Sequence, residues 1–112
     1  MTQYKTLREV CNCLQISRRT IQGYEQMGLV TPSSKNKYGY LLYDEEAVAL
    51  IVKIRQYQQF GFQLKEIKEL LHASDEVVKV ALQERIIYLE RQSDELEQLI
   101  ALANELVATL ES

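Results

Sequence analysis

The chain has no tryptophan, one proline, one histidine and two cysteines among its 112 residues. Each scarcity removes a class of function. A single histidine cannot supply a multi-histidine metal site, and neither a Gly-rich phosphate loop nor a nucleophile motif occurs, so no catalytic residues are expected. Cys11 and Cys13 are too few for a disulfide framework and too close in sequence for a relaxed local bridge, so both are expected as reduced thiols. On a helix they would stand about 200° apart and could not easily clamp one ion. They read as buried small side chains, and no metal or other cofactor is expected. His72 has no cysteine near it and reads as a helix-end residue. No apolar run is long enough to span a membrane, and the N-terminus "MTQYKTLREV" lacks the apolar core of a signal peptide. No membrane partner is expected, and the expected location is the cytoplasm.

What remains is an ordinary globular composition, 46% apolar and 26% charged, with an uneven distribution of charge. Residues 1–71 hold ten Lys/Arg against seven Asp/Glu, a balance of +3, whereas residues 72–112 hold three against nine, a balance of −6. A mildly basic head on an acidic arm directs an anionic partner to the head. The same split also fits a solvated acidic helix with no such partner, and charge alone does not separate the two.

The head reads as short helices separated by turns. In "TLREVCNCL" (6–14), Thr6 followed by Glu9 three residues on forms a capping-box pattern, and Leu7, Val10, Cys11 and Leu14 recur at helical spacing. "ISRRTIQGYEQM" (16–27) is a second helix with Ser17 as N-cap and Gly28 as its stop. So short a connection is the helix-turn-helix pattern. "LVTPSSKNKYGYLLY" (29–43) changes to turn-like and strand-like residues, which predicts a small β-hairpin or wing. Tyr38 and Tyr40 share a face if they lie on a strand, so at least one is expected in the core. Asp44 caps a third helix over 45–60, "GF" breaks it, and a fourth covers 63–72.

From Glu76 to about Leu110 there is neither glycine nor proline. Leu82, Ile86, Leu89, Ser93, Leu96, Ile100, Ala103, Val107 and Leu110 follow alternating steps of four and three, and all but Ser93 are apolar. That is a heptad seam, on a helix roughly 50 Å long. A short head cannot cover such a stripe and the chain offers no second long helix, so a second copy of the chain is the expected cover. The eight apolar seam residues are the expected dimerisation set. Ser93 either sets register or allows close approach.

The ordered set "TLREVCNCLQISRRTIQGYEQMGLVTPS", "YGYLLYDEEAV" and "FGFQLKEIKELL" resembles the MerR family of bacterial transcriptional regulators, nearly continuously over residues 4–72. The resemblance implies a mainly α fold. Residues 1–73 would form a winged helix-turn-helix DNA-binding head with a β-hairpin wing. Residues 74–112 would form a long dimerisation helix in an antiparallel coiled coil. It further implies a homodimer that grips double-stranded promoter DNA and distorts it, with RNA polymerase as a further partner. The chain is expected to be a short form without an effector domain. Carried over by position, Ser17, Arg18, Arg19, Thr20, Gln22 and Tyr24 would face DNA from the recognition helix. Lys35, Lys37, Tyr38 and Tyr40 would do so from the wing, and Lys65 on the fourth helix would touch the outer backbone, with Lys68 beside it.

The chain also departs from the family. Gln22 and Gly23 stand where arginine and tyrosine are usual, Leu41 and Gln58 where arginines are usual, and Gln63 where Ser or Thr caps a helix. Fewer cations should lower affinity and salt dependence together. Missing arginines and acidic charge also suit a second class, a MerR-like protein-interaction adaptor of the co-chaperone-modulator type that binds no DNA. Basic residues on both helix and wing favour the DNA-binding reading, since an adaptor has no need to keep them.

Overall fold

The computed structural model describes residues 3–111, so the first two residues of the 1–73 head and the last of the 74–112 arm lie outside the described residues. Two compact units are present, Met1–His72 and Ala73–Ser112.

The first unit begins with a strand, β1 (Lys5–Thr6), which runs directly into α1 (Leu7–Leu14). The capping box forms: the Thr6 hydroxyl accepts from the Glu9 amide at 3.3 Å, and the Glu9 carboxylate accepts from the Thr6 amide at 3.1 Å. These contacts with the Thr6 amide and hydroxyl hold the Glu9 carboxyl below its ordinary value. α1 ends at Gln15, which takes left-handed geometry at φ 56°. There the Ile16 amide reaches the Cys11 carbonyl.

α2 (Arg18–Gln26) starts on Ser17, whose hydroxyl accepts from the Thr20 amide at 3.1 Å. It ends in a Schellman motif. Gly28, at φ 75°, donates to the Glu25 carbonyl, and Leu29 donates to the Tyr24 carbonyl. The Lys68 ammonium lies by this end, 3.6 Å from where a Gly28 Cβ would stand. A cation there complements the helix dipole. α3 (Glu45–Gln59), capped by Asp44, closes in the same way with Gly61 at φ 102°. α4 (Leu64–Leu71) follows, and the Glu66 carboxylate accepts from the Gln63 amide at 3.1 Å.

The wing consists of β2 (Ser34–Lys35) and β3 (Leu41–Tyr43). Its turn is built by Asn36, whose side-chain oxygen accepts from the Tyr38 and Tyr40 amides at 2.9 and 3.0 Å. Gly39 supplies the left-handed residue at φ 84°, as a three-residue hairpin loop requires. β1 pairs with the other side of β3, Lys5 opposite Tyr43, so the sheet has three antiparallel strands in the order β1-β3-β2. The hairpin alone was expected from the sequence. β1 is two residues long and has no alternation to reveal it.

All four helices and β3 contribute to one core. Val10, Ile21, Tyr24, Tyr43, Ile51, Ile54 and Ile67 are fully enclosed. Gly23 has open space where a Cβ would project. Gly23→Ala is therefore expected to stabilise the head by roughly 0.5–1 kcal/mol, the helix-propensity difference between the two residues. A thermal melt that drops on this change would show that the position needs glycine.

The second unit carries α5 (Asp75–Glu111), which spans about 55 Å at 1.5 Å per residue. Ser74 supplies its first-turn contact, its hydroxyl accepting from the Val77 amide at 3.4 Å. α5 buries none of its residues. Along the seam Ile86, Leu89, Leu96, Ile100, Val107 and Leu110 are exposed, as is Ala103, and Leu82 is half-buried. Among the described residues no helix is long and apolar enough to cross a membrane.

Candidate nucleic-acid interface

α2 sorts its residues by helical angle. Ile21 and Tyr24, three apart, face the core. Arg18, Arg19, Gln22 and Gln26 are exposed on the other side, and Thr20 is half-buried. Ser17 is exposed but its hydroxyl is engaged, 2.8 Å from the Thr20 hydroxyl and bonded to the Thr20 amide.

Tyr24, expected to face DNA, is instead turned into the core. Only 1% of its surface is accessible, and its hydroxyl donates to Gln58 on α3 at 2.5 Å. Burial raises its phenol above the ordinary value, against a lowering contribution from the Arg55 guanidinium. Spacing from Ile21 marks Tyr24 as a core position. Gln58, one of the positions that departs from the family, thus ties the recognition helix to α3.

Tyr38 and Tyr40 are also placed differently from expectation, because neither is core. They are 72% and 64% exposed. Both flank Gly39 in the turn and not along a strand, so period-two alternation does not apply to them. Lys37 lies over the Tyr38 ring, 5.1 Å from its centroid. The enclosed wing tyrosine is Tyr43, whose hydroxyl donates to the Glu25 carboxylate on α2. Burial and then the neighbouring carboxylate push its phenol far above the ordinary value. This bond fastens the wing to the recognition helix.

Around these elements an open cleft of about 380 Å³ is lined by Thr6, Leu7 and Arg8, by Arg18 and Gln22, and by Gly39, Tyr40 and Leu41. It joins the start of α1, the outer face of α2 and the wing tip. Two of the positions that depart from the family, Gln22 and Leu41, line it together. Arg8 was not picked out in the sequence, although it carries the same signal as Arg18 and Arg19: a cation in the first turn of a helix, where the dipole disfavours it. Lys35 and Lys37 are exposed on the wing, and Lys65 is exposed on α4, outside this cleft. Cys11 is half-buried and Cys13 exposed, so the expectation that both are buried fails for Cys13. Among the described residues no group of three or more His, Cys, Asp or Glu could hold a metal ion.

A helix pair with a short turn, an outward polar recognition helix and a β-wing beside it define a winged helix-turn-helix DNA-binding protein. The sequence matches the family described as "MerR HTH family regulatory protein" over residues 5–74 and the one described as "MerR, DNA binding" over residues 48–112. The chain belongs to the MerR family and is a DNA-binding transcriptional regulator. It is 33% identical to the HTH-type transcriptional regulator CueR of Escherichia coli O157:H7 over 110 residues, covering 88% of this chain and 80% of CueR. Among solved structures it resembles MtaN, the N-terminal part of the Bacillus subtilis multidrug transporter activator. The TM-score is 0.73 at 26% identity, over 92% of this chain and 97% of that one. It also shares the fold of HiNmlR, a MerR family regulator lacking the sensor domain and bound to promoter DNA. Here the TM-score is 0.56 at 18% identity, over 94% of this chain and 79% of that one. Nothing in these likenesses supports the adaptor reading.

Proposed function

We propose that this regulator binds double-stranded promoter DNA as a homodimer in the cytoplasm and acts by binding and not by catalysis. α5 is the dimerisation helix. Its seam of Leu82, Ile86, Leu89, Leu96, Ile100, Ala103, Val107 and Leu110 pairs with the same seam of a second copy in an antiparallel coiled coil. Two heads then present α2 to successive major grooves, with Arg18, Arg19, Gln22 and Thr20 nearest the bases and phosphates. Lys35, Lys37, Tyr38 and Tyr40 meet the flanking backbone from the wing, and Lys65 meets it further out. Bending or twisting of the DNA between the heads changes how RNA polymerase reads the promoter.

The observation that carries this reading is the joint exposure of Arg18, Arg19 and Gln22 on α2 beside the wing. Support also comes from an α5 with an apolar stripe and no buried residue. The promoter-bound state of the HiNmlR structure adds to it. The test is an anisotropy titration against the DNA upstream of the protein's own gene. Affinity is expected to fall steeply with salt, with a log–log slope near −0.9 for each phosphate neutralised. An intact dimer that binds this DNA no better than unrelated DNA, at low and moderate salt alike, would sink the reading.

A further inference from the structure

The eight residues that line the cleft between α1, α2 and the wing include two arginines and no carboxylate. Arg8 and Arg18 come from different helices, and both are exposed. Each stands in the first turn of its helix, where the dipole disfavours a cation. Neither is bonded to another described residue in a way that offsets this. The acid next to Arg8 in sequence, Glu9, is turned into the helix cap, where its carboxylate accepts from the Thr6 amide and hydroxyl at 3.1 Å each. The remaining lining residues, Gln22 and Leu41 among them, are neutral. Two like charges gathered at one cleft, each opposed by its own helix, are a cost to the free head that an anion between them removes.

We propose that Arg8 and Arg18 together clamp one backbone phosphate of the bound duplex in this cleft, which extends the DNA contact from α2 and the wing to α1. The proposal rests on the DNA-binding reading above and deepens it. A guanidinium offers a planar fork of donors that matches phosphate oxygens. The ligand is a phosphate and not a base edge because the cleft runs from α2 out to the start of α1 and the wing tip, elements that flank the recognition helix. Flanking elements position the protein on the duplex, while the groove-bound helix reads bases. With positions 22 and 41 uncharged, these two arginines are the whole positive charge of the cleft.

The test uses the full chain, anisotropy titrations over a range of salt, and two duplexes of equal length. One is the gene's own upstream sequence and the other is unrelated. Arg8→Gln is expected to weaken binding to both duplexes by the same factor and to reduce the log–log salt slope by about 0.9, the value for one phosphate. Arg8→Lys keeps the slope. Gln22→Arg added to Arg8→Gln restores it, since position 22 lines the same cleft. Arg8 is exposed, so the melting temperature should not move. An unchanged salt slope in Arg8→Gln overturns the clamp. So does a loss confined to the upstream duplex, which would make Arg8 a base reader. A wild-type protein that binds neither duplex overturns the DNA-binding reading, and the clamp falls with it.

Discussion

Leu96→Glu combined with Ile100→Glu is expected to turn the protein into a monomer and to weaken promoter binding by roughly 10²–10⁴-fold, the avidity that two linked heads gain over one. Both side chains are about 60% exposed on the isolated α5. In the proposed coiled coil they face the partner's seam. Burying a leucine or isoleucine contributes about 1.5–3 kcal/mol, and the double change removes four such side chains from each dimer. It also leaves four carboxylates at an apolar seam, which cannot stay charged there without partners. The head does not depend on these residues, so its melting should survive. Sedimentation at micromolar concentration reads the assembly, and the DNA titration reads the consequence. A dimer that persists with undiminished affinity would place the interface elsewhere.

Tyr43→Ala is expected to cost the head about 3–5 kcal/mol, the range for truncating a buried aromatic side chain. That is a large share of the roughly 5–15 kcal/mol that holds a domain together. At about 4–8 °C per kcal/mol for a domain of this size, the melting temperature should fall on the order of 20 °C. Tyr43 is fully enclosed and joins three parts of the head: it pairs with Lys5 of β1, sits on the wing strand, and bonds Glu25 on α2. Tyr43→Phe separates the hydroxyl from the ring. It should cost only about 1–3 kcal/mol, because it leaves the Glu25 carboxylate without its donor. The hydroxyl also sets an alkaline limit. The folded phenol is raised above its ordinary value of 10.0. The stability this contributes is therefore fully present below pH 10 and is lost as pH climbs above it, because the unfolded phenol ionises first. Tyr43→Phe should flatten that limb. A Tyr43→Ala melt within a few degrees of wild type would show that the wing does not depend on this anchor.

Much of the head was legible because its signals are local. A capping box needs only Thr6 and Glu9, a Schellman stop needs only a glycine at Gly28 or Gly61, and the helix faces follow from the 3.6-residue period. The seam of α5 was legible for the same reason. The misreadings share the opposite cause. β1 exists only because Lys5 and Thr6 meet β3, far along the chain. Tyr38 and Tyr40 have the spacing of one strand face, but the Asn36 side chain holds them in a turn. Tyr24 occupies a position that the family pattern turns to DNA, yet Ile21 three residues before it marks that side as core. Arg8 carries a local signal, a cation in the first turn of α1, but that signal names no partner until the wing and α2 are brought to it.

The amino-acid sequence by itself determined where the helices begin and end, that the arm carries an apolar heptad stripe, and which family the chain resembles. All three follow from contacts within a few residues or from the order of motifs. Only the tertiary structure decided which side chains reach solvent together. It drew Tyr24 inward to Gln58 and fastened the wing to α2 through Tyr43. It also gathered Arg8, Arg18 and the wing tip around one cleft. Those are contacts between residues distant in the chain, and they depend on how the helices and the sheet share one core, which no local pattern encodes.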